Sequence, residues 1–123
     1  MTTPKSDLSR LARGRWGEAR AARHLRSLGF EIVGIGWRPP EPELRGDLDV
    51  IARRPGVVVF CEVKARRTTD FGGAAAAVTL GKQEQVRRLA ASWLRAAGSP
   101  RVDVRFDVIA IDGVRLTHHE AAF

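Results

Sequence analysis

Two runs rich in Val and Ile, Gly46-Asp47-Leu48-Asp49-Val50-Ile51-Ala52-Arg53 and Val57-Val58-Val59-Phe60-Cys61-Glu62-Val63-Lys64, flank the turn Arg54-Pro55-Gly56. Short β-branched runs around a Pro-Gly turn read as a β-hairpin. Its charges make it restrictive. Asp47, Asp49, Glu62 and Lys64 stand inside apolar strands, where burial ordinarily excludes charge. Alternation turns Val58, Phe60, Glu62 and Lys64 to one face and Val57, Val59, Cys61 and Val63 to the other. Asp47, Asp49 and Ile51 share a side of the first strand. A two- or four-residue loop centred on Pro55-Gly56 sets Asp49 opposite Glu62 and Asp47 opposite Lys64. A three-residue loop instead sets Asp49 opposite Cys61 and scatters the charges. The first register gathers three carboxylates and one ammonium on one patch, and it is the one expected.

The remaining segments supply helices to pack on this hairpin. The pattern is helical from Asp7 to about Leu28, with Ser6 or Asp7 as a cap and Gly29 as a stop. Leu11, Glu18, Ala22 and Leu25 share one face of it, with Ala21 and Leu28 beside them. Glu18 therefore lies on an apolar stripe. Phe30 to Trp37 reads as a strand, and the three prolines between Arg38 and Gly46 make that stretch a loop. A second helix is expected over Leu80–Ala97, capped by Thr79 and stopped by Gly98 and Ser99-Pro100. Its buried stripe is Val86, Ala90, Trp93 and Ala97, with Leu89 alongside. Val102 to Ile111 is the last strand expected. The order α-β-β-β-α-β predicts an α/β domain, a mixed sheet flanked by helices. Residues 1–6 are expected to be disordered, 7–112 to form a single domain, and 113–123 to be a C-terminal tail that carries no strong signal.

Composition bears on compartment and partner. The chain of 123 residues is long enough for one core, and no apolar stretch approaches the roughly 20 residues needed to cross a bilayer. Its start lacks the apolar core of a secretory signal, and a single cysteine excludes an internal disulfide. A reducing cytoplasm, with no membrane partner, is the expected setting. The net charge of +7 is dominated by arginine, which suits bidentate phosphate contacts and makes nucleic acid the first partner to consider. An arginine-for-lysine bias of GC-rich coding would produce the same excess.

The chemistry lies in the patch. Clustered carboxylates raise one another's pKa unless something positive intervenes, and Lys64 offsets only one of them. A divalent cation is the simplest compensator, since Mg²⁺ binds one or two carboxylates plus substrate phosphate. Glu18, an acid on a buried stripe, is explained by the same ion if the first helix crosses the sheet. A metal held by Asp49 and Glu62, with Lys64 two residues on to orient water, is what phosphodiester hydrolysis requires. The competing reading is a pair of cross-strand salt bridges on a solvated face, and Glu18 together with the second aspartate weigh against it. Lys82, at a helix start, is placed to meet phosphate, and Arg66, Arg67, Arg87 and Arg88 to follow a nucleic-acid backbone. Asp107 is expected to hold a loop or an arginine. His24 is expected to be exposed, Trp16, Trp37 and Trp93 to be core, and Cys61 to be a small core residue.

Gly14-Arg15-Trp16-Gly17-Glu18, Gly46-Asp47-Leu48-Asp49-Val50-Ile51, Phe60-Cys61-Glu62-Val63-Lys64-Ala65-Arg66, Phe71-Gly72, Lys82 and Arg105-Phe106-Asp107-Val108-Ile109 together resemble the YraN family of small bacterial proteins. That family is similar to the PD-(D/E)XK nucleases, and among them to archaeal Holliday-junction resolvases. The resemblance spans about residues 11–112. It implies a restriction-endonuclease-like fold, an Mg²⁺- or Mn²⁺-dependent endonuclease activity on DNA, branched DNA included, and a dimer as in resolvases. It matches Asp49 to the acid after the first core strand, Glu62 and Lys64 to the E-x-K pair, and Glu18 to the first-helix carboxylate. Arg15 joins Arg66, Arg67 and Lys82 as a residue for nucleic acid. The family reads Gly-Glu-Ile-Asp where this chain has Gly46-Asp47-Leu48-Asp49, so Asp47 is one methylene shorter and is given no metal contact. The alternative class is a nucleic-acid-binding module on the same fold that does not cleave.

Overall fold

The computed structural model describes residues 5–66, 78–98 and 101–123, with the backbone alone for 5–13 and 66. Helix α1 (Lys5–Ser27) leads into β1 (Glu31–Trp37), β2 (Leu48–Arg54) and β3 (Val57–Arg66), followed by α2 (Leu80–Ala97), β4 (Asp103–Asp112) and β5 (Arg115–His119). One five-stranded sheet runs in the order β1-β2-β3-β4-β5. β3 and β4 are parallel, joined through α2, and the other neighbours are antiparallel. The mixed sheet flanked by helices is the α/β class expected.

Local chemistry sets the boundaries. Thr79 accepts a hydrogen bond from the Lys82 N–H at 3.2 Å, satisfying a free donor at the start of α2. Gly98 ends that helix with φ of +61°, where a side chain would be strained. Gly29 ends α1 in the same way, with its N–H on the Arg26 carbonyl and that of Phe30 on the Leu25 carbonyl. Arg54 pairs with Val57 across Pro55-Gly56, so the hairpin loop has two residues. The register runs through Val50 opposite Cys61, and its continuation sets Asp49 opposite Glu62 as expected.

Each face of the sheet has its own core. Val59 and Cys61 of β3 pack with Ala21 and Leu25 of α1, Val50 and Ala52 of β2, and Ile109 and Ile111 of β4. On the other face Val58 and Phe60 pack with Ile51 and with Val86, Leu89 and Ala90 of α2. Helices on both faces explain why the central strands read as nearly continuous apolar runs. Gly17 brings α1 close: a Cβ there would lie 3.2 Å from the Ala65 Cβ and 3.4 Å from Val63 Cγ1.

Several expectations are corrected. α1 begins at Lys5, so Lys5 and Ser6 are helical and Ser6 and Asp7 lie within the helix rather than before it. The segment after residue 112 contributes β5, paired to β4 through a turn at Gly113-Val114, and Arg115–His119 carries too little apolar character to mark a strand in the sequence. Trp16 is 48% exposed and Leu28 41%, because both lie off the arc that α1 turns to the sheet. Ala97 is exposed along with Arg95 and Ala96 at the end of α2, whereas Trp93 and Trp37 are half-buried against the second core. His24 is half-buried against β5, a strand the sequence reading had omitted. The capping of α1 by side chains, the place of Leu11, the stop at Ser99-Pro100, and the loop holding Arg67, Phe71 and Gly72 lie outside the described residues. Among the described residues no helix is long and apolar enough to cross a membrane.

The close approach at Gly17 is testable. Gly17→Leu should overpack the α1–β3 contact and cost about 1–3 kcal/mol, read as a lowered midpoint in urea unfolding with an unchanged slope.

Candidate functional site

A cleft of about 420 Å³ opens where α1, the C-terminal half of β3 and the start of α2 converge. α1 contributes Gly14, Gly17 and Glu18, β2 contributes Asp49, β3 contributes Glu62 through Ala65, and α2 contributes Lys82. Asp49, Glu62 and Lys64 of the predicted patch thus meet Glu18 and Lys82, whereas Asp47 lines a neighbouring pocket with the β1–β2 segment. Glu62 is 1% exposed. The central strand carries it between two covered faces, and its carboxylate lies 3.8 Å from Lys82 Nζ. Asp49 is fixed by the Val63 N–H, which donates to its Oδ2 at 2.9 Å. That bond substitutes a side chain for a backbone partner near the beginning of β2 and holds the carboxylate beside Glu62.

The electrostatics follow from burial without enough positive charge. Burial, then the charge of Asp49, pushes the Glu62 carboxyl up to about 8, against the pull of Lys82 and Lys64. The two carboxyl groups are close enough that one hydrogen-bonds the other when protonated. Asp49 is also raised, first by burial, against the Val63 N–H bond, and further by Asp47, with Lys82 and Lys64 opposing. Glu18 is raised to about 7 by burial and then by Asp49 and Asp47. Four carboxylates therefore share one field with two ammonium groups, leaving two negative charges when all are ionised. An all-oxygen donor set with that deficit suits a hard divalent cation. Among the described residues, however, no three His, Cys, Asp or Glu side chains stand together as a formed ligand set. The pair in contact is Asp49 with Glu62, and Glu18 faces them from α1.

The sequence-derived residues separate into two groups. Glu18, Asp49, Glu62, Lys64 and Lys82 share the cleft. Lys82 stands closer to the acids than its assignment as a phosphate contact required, because the Thr79 cap starts α2 beside Glu62. Arg15 is exposed next to the cleft-lining Gly14. Arg67 and the Arg66 side chain lie outside the described residues. Arg88 pairs with Glu84 at 3.6 Å, and the Arg87 guanidinium lies over the Phe106 and Phe123 rings, so neither borders the cleft. Cys61 faces the α1 core, and burial drives its thiol up, away from nucleophilic reactivity.

Asp107 does hold an arginine and a loop. Arg105 donates to it at 2.9 and 2.8 Å, and the Ala121 N–H at 3.0 Å. Sequence reasoning missed two further partners. His118 lies 2.7 Å from the same carboxylate, and His24 of α1 lies 3.1 Å from the other His118 ring nitrogen. Burial pushes Asp107 up, but the bonds from Arg105, His118 and Ala121 outweigh it and hold the carboxyl below its usual range. The network ties α1 to β4 and β5 on the opposite edge of the sheet. His118 gave no sequence signal, because β5 itself did not.

Fold and site together define an α/β domain with a buried acidic cleft and two lysines. The model of the uncharacterised protein family UPF0102 matches residues 17–111. The chain is 40% identical over 115 residues to a UPF0102 protein of Parafrankia sp., covering 89% of this chain and 94% of the relative. It is 46% identical over 101 residues to one of Rhodococcus jostii, covering 82% of each, and 45% identical over 100 residues to one of Nocardia farcinica, covering 81% and 76%. This chain belongs to UPF0102, which is the YraN family that its motifs resemble.

The raised carboxyls fix a pH dependence. A carboxyl whose pKa is higher folded than unfolded contributes stability fully below the unfolded value near 4.5, and loses it as pH rises through the folded value. Without divalent ions, the melting temperature should therefore fall between pH 5 and pH 8.5 as Glu18 and Glu62 ionise near 7 and 8. Glu62→Gln should flatten the upper part of that decline in calorimetry across the range.

Proposed function

We propose that this protein is a metal-dependent endonuclease-like domain that binds DNA and hydrolyses its phosphodiester bonds. The observation that carries the reading is the approach of half-buried Asp49 to fully buried Glu62, in a cleft that also presents Lys64 and Lys82. A buried carboxylate with a second one beside it is costly unless a cation joins them. Asp49 and Glu62 would hold Mg²⁺ or Mn²⁺, with Glu18 facing them from α1 and substrate phosphate completing the set. When bound, such an ion polarises a phosphate and lowers the pKa of its water. Lys64 positions the attacking water and offsets the charge developing on phosphate. Lys82 lies 3.8 Å from the Glu62 carboxylate and would meet a phosphate oxygen once a cation takes over that charge. Arg15, Arg66 and Arg67 would grip the flanking backbone, which positions without reading sequence. Branched DNA is the substrate favoured by the resolvase resemblance, with a homodimer to meet two-fold junctions. The free, buried thiol of Cys61 suits a reducing compartment such as the cytoplasm.

One observation favours the second reading, a binding module that does not cleave. Among the described residues no three-residue ligand set is formed. Labelled linear, flapped and four-way-junction DNA, incubated with Mg²⁺ or Mn²⁺, separates the two. Under the leading reading wild type cleaves, Glu62→Ala abolishes cleavage, and Lys64→Ala lowers the rate by about 10²-fold or more. Retained, salt-sensitive binding without cleavage under either metal establishes the binding module instead.

A further inference from the structure

The proline-bearing segment between β1 and β2 lies along α2 and is fastened to it twice. Glu41 accepts a hydrogen bond from the Ser92 hydroxyl at 2.7 Å and pairs with Arg95 at 3.7 Å. Two helical turns earlier, the Gln85 amide donates to the Arg45 carbonyl at 2.8 Å. The segment therefore runs antiparallel to α2 and reaches the cleft at its Gln85 end, where Gly46 and Asp47 lead directly into Asp49. Gly46 shows how tight this fastening is. Its φ is +97°, and a Cβ on it would stand 2.4 Å from the Gln85 amide nitrogen. The backbone conformation requires glycine there, and a side chain in its place would displace the Gln85 amide from the Arg45 carbonyl.

We propose that Gln85 is a positioning residue for the acidic pair. Its bond to the Arg45 carbonyl fixes the approach to β2, so that Asp49 reaches the Val63 N–H and stands beside Glu62. Three features make this more than a surface contact. Gln85 lies three residues after Lys82 on α2, so it ties the Asp49 arm to the helix that carries the Glu62 partner. The Val63 N–H of β3 holds the Asp49 carboxylate at 2.9 Å, beside Glu62, four residues after the Arg45 carbonyl that Gln85 fastens. Ordinary strand pairing cannot fix the arm, because β2 begins only at Leu48. The Gln85 side chain touches none of the reacting groups, and it acts through the backbone. The proposal rests on the reading of Asp49 as a metal-binding residue only for its functional consequence.

The experiment compares wild type with Gln85→Glu, Gln85→Ala and Ser92→Ala. Gln85→Glu keeps the size but removes the donor, and Ser92→Ala releases the same segment at the end remote from the cleft. The primary measurement is the exchange rate and chemical shift of the Val63 amide proton in metal-free protein at one pH, with melting temperatures recorded alongside. Both Gln85 variants should speed Val63 exchange about tenfold and move its resonance upfield, while Ser92→Ala lowers the melting temperature without either change. The second measurement is Mn²⁺ affinity by calorimetry, expected to weaken about 10-fold in the Gln85 variants alone. An unchanged Val63 amide in Gln85→Glu, or the same change in Ser92→Ala, overturns the proposal. If the Val63 amide responds as expected but wild type binds no Mn²⁺, the positioning role stands and the metal-dependent reading of the cleft fails.

Discussion

Burying Glu62 in the middle of the sheet is the interaction on which the rest of this structure turns. A carboxylate that is 1% exposed loses its water, and its immediate neighbours are Asp49, which repels it, and Lys82, which compensates in part. The fold accommodates this by raising the Glu62 carboxyl to about 8, so that it keeps its proton at neutral pH, and by opening a cleft at that point. Removing charge would be simpler for stability alone, since apolar replacements of buried charges are often neutral or stabilising. A site that gives up stability in this way is the pattern expected of function.

The surrounding architecture exists to make that burial possible. β3 is the central strand, parallel to β4 through the α2 crossover and antiparallel to β2 through a two-residue turn. Its two apolar faces are covered by different helices, and the covering elements each bring one charged group to the end of the strand. α1 brings Glu18, held near by the missing side chain of Gly17, and α2 brings Lys82, held near by the Thr79 cap. The opposite edge is secured by Arg105, His118 and Asp107, which join β4 to β5 and, through His24, to α1. One edge of the sheet thus neutralises its buried acid completely, and the cleft does not. That contrast separates an acid with a structural role from acids available for chemistry.

Much of this was legible in the chain. α2 was read at its observed bounds, because a threonine cap and a glycine stop are local signals that depend on backbone hydrogen bonding alone. The hairpin register was legible because a Pro-Gly turn permits few registers and only one of them gathers the charges. β5 and the His24–His118 contact were not, since a short polar edge strand has no apolar period and a contact between residues 94 apart leaves no local trace. Trp16 was misplaced for a related reason. Aromatic character argues for burial, but the orientation of a helix on a sheet decides which of its faces is covered.

The sequence by itself determined the element types, the turn, the alternation that puts Glu62 and Lys64 on one face, and the presence of acids where burial would exclude them. These depend on interactions within a few residues, or on the two-residue period of a strand. Only the tertiary structure decided which of the charged residues meet. Lys82 came to Glu62, Gln85 came to the Arg45 carbonyl, and Arg88 stayed with its own helix neighbour Glu84. The crossover of α2 and the close approach of α1 at Gly17 set these distances, and both are properties of packed surfaces rather than of any local segment.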